Sequence, residues 1–238
     1  MKLPQAYARG ALLLCALLAG CSGFRSSAQP EQTYYLRAPY AGAGASRAAG
    51  QGGAAASSAA MPVSLRVGHP FADPGLESPH IMLVQADHRM NFYAGSRWPA
   101  PAADLIETLA VQTLSASGQW ATVMDSRSPF PSNYLLQLAV RRFDADYSGG
   151  GAAPEVHVVI DCIIGRREGR DVVATFVAAA AATAAANRLT DVVTAFEQAT
   201  GTALAALSQQ AAQAARADRE RDPQNAAKPA PSSSRQSQ

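Results

Sequence analysis

Tyr134-Leu135-Leu136-Gln137-Leu138-Ala139-Val140-Arg141-Arg142-Phe143-Asp144-Ala145-Asp146-Tyr147 is followed, after Gly149-Gly150-Gly151, by Glu155-Val156-His157-Val158-Val159-Ile160-Asp161-Cys162-Ile163-Ile164-Gly165-Arg166. Side chains alternate across a strand, so Tyr134, Leu136, Leu138 and Val140 share one face of the first segment, and Gln137, Arg141 and Phe143 share the other. In the second segment Val158, Ile160, Cys162 and Ile164 fall on one face. Arg170 to Ala180 continues in the same style beyond Arg167-Glu168-Gly169, where the glycine supplies the positive φ of a tight hairpin. This spacing predicts three antiparallel strands in succession, with one apolar face that needs a cover.

Working outward, two helices are available to cover it. Pro101 suits a first helical turn, Asp104 and Glu107 complement the dipole near that end, and Leu105, Ile106, Leu109, Thr113 and Leu114 recur at helical spacing up to a stop at Gly118. A second helix is expected from about Asn187, a candidate cap, to Ala214, with Leu189, Val193, Phe196, Ala203, Leu204 and Leu207 as its buried stripe. Upstream, Val63 to Val67, His80 to Ala86 and Met90 to Tyr93 read as strands, and Trp120 to Met124 as another. The order strands, helix, strands, helix defines the expected class: α+β, a largely antiparallel sheet with two main helices packed on one face. The other face carries Gln137, Arg141, His157 and Asp161, so it is either solvated or an interface.

The beginning of the chain carries a different signal. Lys2 and Arg9 precede an apolar run, Ala11 to Ala19, too short to span a bilayer, and the run ends in Leu18-Ala19-Gly20-Cys21. That is the layout of a secretory signal with a cysteine at its end, and the four residues resemble a bacterial lipobox. The resemblance implies cleavage between Gly20 and Cys21 and a covalent diacylglycerol and N-acyl lipid on Cys21. One acyl chain binds a membrane only marginally, whereas two or three anchor it. Ser22, rather than aspartate, follows the cysteine and favours the outer membrane.

The expected domains are therefore a signal peptide at 1–20, a lipidated tether at 21–32, a folded domain at 33–213 and a solvated tail at 214–238. The domain holds a small β-prone island, Tyr34-Tyr35-Leu36, and an Ala/Gly/Ser-rich insertion, 41–60, expected to be disordered. About eleven extended residues reach only some 35 Å, so the domain lies close to its membrane.

Little points to catalysis. A net charge of +2 and a pI near 8.5 are too mild for nucleic acid. His69, His80, His88 and His157 lack metal-ligand spacing, so no metal site is expected. With Cys15 lost in the signal and Cys21 acylated, Cys162 is the sole remaining thiol and reads as a small buried hydrophobe. Asp144 and Asp146 share a strand face, and a solvated edge explains them. Ser148-Gly149-Gly150-Gly151 lacks the strand, elbow and helix of a serine nucleophile. No catalytic residue and no cofactor beyond the lipid are expected.

Two surface motifs are less ordinary. Arg166, Arg167 and Arg170 gather at the hairpin tip, as a solvated turn or a contact for anionic headgroups or an acidic partner. Phe92-Tyr93-Ala94-Gly95-Ser96-Arg97-Trp98-Pro99-Ala100-Pro101 places three aromatics and an arginine ahead of a helix. Tyr93, Arg97 and Trp98 are candidate partner or ligand contacts, and a tryptophan here also suits a plug between sheet and helix.

The lipobox, Tyr34-Tyr35-Leu36, then Tyr93-Ala94 leading through Arg97-Trp98 into a helix, and the Tyr134-Leu135-Leu136 strand occur in an order that resembles the ABC-type transport auxiliary lipoprotein family, over about residues 11 to 213. The resemblance implies a non-catalytic periplasmic lipoprotein of the outer membrane, partner to an ABC transporter and its MCE-domain protein. It also implies a path for phospholipids or other apolar solutes between the two membranes, docked by this protein and, in some arrangements, by a homo-oligomeric ring of it. A second reading of the same anchor and small domain is regulation of a peptidoglycan synthase, which needs a longer reach than the tether gives.

Overall fold

The computed structural model describes residues 30–37 and 60–221. The signal, Cys21, almost all of the 41–60 insertion and the chain after Arg221 lie outside the described residues. The chain divides after Glu31, and the fold is that of the unit beginning at Gln32. Of the unit before it, Pro30 and Glu31 are described, and both are exposed.

Strands β1 (Gln32–Thr33), β2 (Met61–Val67), β3 (Phe71–Ala72), β4 (His80–Val84) and β5 (Met90–Arg97) precede helix α1 (Ala102–Ala116). Strands β6 (Trp120–Met124), β7 (Tyr134–Asp146), β8 (Glu155–Arg166) and β9 (Val172–Thr183) follow it, and helix α2 (Leu189–Arg221) comes last. The class is the one expected: one sheet, with both helices packed against a single core on one of its faces.

Strand β7 organises the sheet. One edge pairs along its whole length with β8, and β8 with β9, in two antiparallel ladders. Its other edge is shared end to end by β2, β3 and β4, all three parallel to it. Beyond these, β6 runs parallel to β2, β5 antiparallel to β4, and β1 parallel to β5. The long ladders are thus antiparallel, while the strands before α1 add parallel pairings. Parallel neighbours need long crossovers, so their pairing leaves no turn signal between adjacent segments. The Tyr34-Tyr35-Leu36 island is not itself strand: the paired residues are Gln32 and Thr33, and the Tyr34 amide donates to the Arg97 carbonyl at 2.9 Å.

Simple alternation fails once in β7. The register shifts between Val140 and Arg142, so Arg141 is an extra residue opposite β8. A bulge of this kind turns the following side chains to the opposite faces. Phe143, expected beside Gln137 and Arg141, instead joins Leu136, Leu138 and Val140 in the core and is 1% exposed. There it meets Trp98 from the turn after β5 and Phe196 from α2, with ring centroids 5.9 and 5.0 Å away. Trp98 and Phe196 touch edge to face at 5.2 Å.

Helix α1 begins after Pro101 and stops at Gly118, whose φ of +63° is the left-handed turn that releases the chain into β6. Helix α2 differs from expectation at both ends. Asn187 is no cap; its side-chain oxygen accepts the Tyr147 hydroxyl at 2.7 Å. The buried stripe is centred on Val192, Phe196, Ala199, Ala203 and Leu207. The helix also passes Ala214 and runs to Arg221, burying Ala215 and Asp218. At 1.5 Å per residue it is about 50 Å long.

The bulge sets a prediction. Phe143→Ala should cost about 3–5 kcal/mol, and Gln137→Ala, exposed on the helix-free face, less than about 0.5 kcal/mol. Urea unfolding monitored by circular dichroism separates them; equally small losses would place Phe143 on the outer face.

Candidate functional site

Tyr93, Arg97 and Trp98 do not form one surface. Successive side chains of a strand diverge, and Trp98, 1% exposed, is the plug between sheet and helices. Its amide donates to the Pro79 carbonyl at 2.8 Å. Tyr93 is half-buried, its hydroxyl 2.8 Å from that of Tyr147, which in turn donates to Asn187. This chain ties β5 and the end of β7 to the entrance of α2. Burial, with the Tyr147 hydroxyl, pushes the Tyr93 phenol far above its usual range. Arg97 lies at the end of β5, its Nε directed to the Trp98 carbonyl at 3.4 Å. Tyr93 and Trp98 therefore serve the join between sheet and helices.

The hairpin between β8 and β9 is organised differently. Gly169 and Arg170 both take positive φ, +82° and +57°. The three arginines of the tip then divide. Arg166 is bound by Asp218 of α2, Nη2 to Oδ1 and Nε to Oδ2, both at 2.7 Å. The Tyr134 hydroxyl donates to the same carboxylate at 2.9 Å. Helix α2 is thereby locked onto β7 and β8 at its far end, by a residue expected to lie in a solvated tail. The Arg166 guanidinium, above all, holds the Asp218 carboxyl below its ordinary range, and the Tyr134 hydroxyl adds to this against the opposing effect of burial. Arg167 and Arg170 form no ion pair among the described residues. With Leu135, Ile163 and Val172 the tip lines an open trough of about 450 Å³ on the helix-free face.

That face is otherwise neutralised from within. Arg141 pairs with Asp161 at 2.7 Å and Asp73 at 3.2 Å. Arg142 clamps Asp144 and Asp146 at 2.7 and 2.9 Å. Asp144 is buried and paired, not a solvated edge. Cys162, fully buried, has its thiol pushed up to about 12 by burial, which removes it as a nucleophile at neutral pH.

One cluster was not visible in the sequence. His69 follows β2, and its Nδ1 lies 3.0 Å from Glu107 Oε2 and 3.8 Å from Asp104 Oδ1 at the start of α1. Donor atoms of the three lie within 4.8 Å of one another, close enough to share a small cation. Both Glu107 oxygens already have partners, Oε1 accepting the Ser126 amide at 2.8 Å. Burial raises the Glu107 carboxyl, and the Ser126 and His69 hydrogen bonds more than offset it, leaving it below its ordinary value. The cluster ties the loops after β2 and β6 to α1. Spacing could not have found it, since His69 and Glu107 are 38 positions apart. Gly20 and Cys21 lie outside the described residues.

A mixed sheet with two helices on one face, with ionic groups used as ties, defines a small α+β domain. The chain belongs to the ABC-type transport auxiliary lipoprotein component family, whose model matches residues 47–217. The match starts beyond the lipobox and Tyr34-Tyr35-Leu36, and it takes in α2 as far as Ala217. Among solved structures, protein XCC0632 from Xanthomonas campestris, of the DUF330 family, is 26% identical with a TM-score of 0.64, covering 68% of this chain and 90% of its own. An uncharacterised protein at 15% identity and a TM-score of 0.53, covering 63% and 95%, shares the fold. The PelC dodecamer from Paraburkholderia phytofirmans is 19% identical over 63% of this chain and 89% of that one, with a TM-score of 0.40, too low to bear on assembly here. Comparison with curated proteins returns no match.

The lock on α2 gives a pH-dependent prediction. Asp218 has a depressed folded-state pKa, so its contribution is present above the unfolded carboxylate value and is lost as pH falls through the folded one. Asp218→Asn should cost about 2–3 kcal/mol at neutral pH. The gap between wild type and variant should close below about pH 4. Urea titrations at neutral and acid pH measure it; a gap independent of pH would remove the carboxylate from the account.

Proposed function

We propose that this protein is a non-catalytic lipoprotein of the outer membrane, acylated on Cys21, that holds the periplasmic end of an ABC transport system with an MCE-domain protein as its partner. The solutes on this path are phospholipids or other apolar molecules. The family match supports an auxiliary role in ABC transport. The lipobox followed by Ser22 supports the anchor and its membrane, and no described helix is long and apolar enough to cross a bilayer.

The observation that carries the reading is the length of the tether. Cys21 and Gln32, the first residue of β1, are eleven positions apart. A fully extended chain of that length reaches about 35 Å. An acyl anchor at Cys21 would therefore hold the domain beside its membrane, as a docking component requires, rather than let it roam.

The test is Cys21→Ser, expressed beside an ABC transporter and MCE-domain protein of the same host. The wild type should fractionate with outer membranes and co-purify, after crosslinking, with the MCE-domain protein. The variant should be released to the soluble periplasm with an unchanged circular dichroism spectrum. Retention of the variant in the membrane fraction, or absence of any MCE-domain crosslink from the wild type, would overturn the reading.

A further inference from the structure

Three carboxylates among the described residues are buried: Glu107, Asp144 and Asp218. Two of them are held by an arginine through both oxygens, Asp144 by Arg142 and Asp218 by Arg166. Glu107 is the exception. Its side chain is 5% exposed, and among the described residues it pairs with no lysine or arginine; the His69 ring stands in that place. A buried charge needs a counter-charge, from a paired group or from a metal ion. A neutral imidazole completes the hydrogen bond and brings no charge.

The groups around Oε2 are set in place by separate parts of the fold. Asp104 and Glu107 stand three positions apart on α1 and so share a face. The Gly68 amide donates to the Leu136 carbonyl at 2.9 Å, which fixes the chain one residue before His69. The Ser126 amide holds Glu107 Oε1 at 2.8 Å and leaves Oε2 aimed at the ring. Outer hydrogen bonds of this kind orient the carboxylate ligands of metal sites. Donor atoms about 2.1 Å from a common zinc ion stand about 3.0 Å apart at a right angle and about 3.4 Å apart at the tetrahedral angle. His69 Nδ1 lies 3.0 Å from Glu107 Oε2 and 3.8 Å from Asp104 Oδ1, so the two spacings bracket the tetrahedral value. The half-exposed Asp104 side chain has room to close the remaining distance. A mixed nitrogen and oxygen set suits zinc better than calcium or magnesium, which take oxygen alone.

We propose that His69, Asp104 and Glu107 bind one zinc ion, His69 through Nδ1 and each carboxylate through one oxygen. The imidazole proton is then carried by Nε2. Three protein donors leave a fourth position for water or for a donor from outside, as other three-ligand zinc sites do. The ion supplies the counter-charge that Glu107 lacks and ties the loop after β2 to α1. The site is independent of the transport reading and does not require it.

The experiment uses the untagged full-length acylated protein in detergent micelles, stripped with a chelator, dialysed and titrated with zinc chloride in a calorimeter. The wild type should bind one zinc per chain, and its melting temperature should rise with added zinc. His69→Ala removes a largely exposed ring and should keep the wild-type circular dichroism spectrum. It should bind zinc at least about tenfold more weakly and lose the zinc-dependent rise in melting temperature. His157→Ala, which removes the histidine beside Glu155, should bind zinc as the wild type does. Absence of zinc binding by the wild type, or equal binding by the wild type and His69→Ala, overturns the proposal. So does a loss in His157→Ala as large as that in His69→Ala. Should His69→Ala fail to fold, Asp104→Asn, at a half-exposed position, decides it by the same measurements.

Discussion

The contact among Trp98, Phe143 and Phe196 joins three parts of this fold that lie far apart along the chain. Trp98 belongs to the turn from β5 into α1, Phe143 to the bulged half of β7, and Phe196 to the first half of α2. Their centroids lie 5.0–5.9 Å apart in tilted and edge-to-face arrangements, the geometry aromatic rings prefer. The Trp98 Nε1 is buried there with no hydrogen-bond partner among the described residues. Leaving a buried donor unmade costs about 1–3 kcal/mol, so the tryptophan is kept for its volume and flat faces. Around this cluster α2 needs little bulk, and its buried alanines let the helix settle close to β8 and β9.

Much of the architecture was legible because it is written locally. The meander β7, β8 and β9 shows its period of two, and Gly169 marks its hairpin; α1 shows its period near 3.6, with Pro101 and Gly118 at its limits. What escaped is non-local or depends on a single inserted residue. The bulge at Arg141 leaves no composition signal, since Arg141-Arg142 reads as two ordinary polar residues, yet it decides the face of Phe143. The parallel partners of β7 are set by how crossovers pack, which no short window contains. The end of α2 is hidden in the sequence for an electrostatic reason: Arg216, Asp218, Arg219 and Arg221 look solvated, and the partner that buries Asp218 is Arg166, 52 positions away.

The candidate site was legible as a pattern more than as a role. Arg97-Trp98 ahead of a helix is distinctive, and its tryptophan faces inward and is spent on the join. His69, Asp104 and Glu107 come together only when β2 and α1 pack, and the His69 ring and the Ser126 amide take up both Glu107 oxygens. Asp144 and Asp146 share a face with Arg142 by simple alternation, and the bulge before Arg142 turns all three away from the core, where the guanidinium binds both carboxylates. In each case the residue types were right for chemistry and their neighbours turned them into ties.

This use of charge bears on how the domain meets anything else. On the helix-free face Arg141 and Arg142 are satisfied by four aspartates, and with a net charge of +2 the whole chain projects little long-range field. Electrostatic steering, which raises association rates when one sign of charge dominates a surface, is correspondingly weak. Among the described residues, exposed surface includes the apolar side chains of Phe71, Phe130, Val172 and Val177 and the trough beside the hairpin tip. Recognition through these works at short range, by register and shape, and it gains most when partners are already held nearby. A membrane anchor on a short tether would supply that condition: by confining the domain to a thin layer, it raises the effective concentration of neighbouring surfaces that would meet too seldom in free solution.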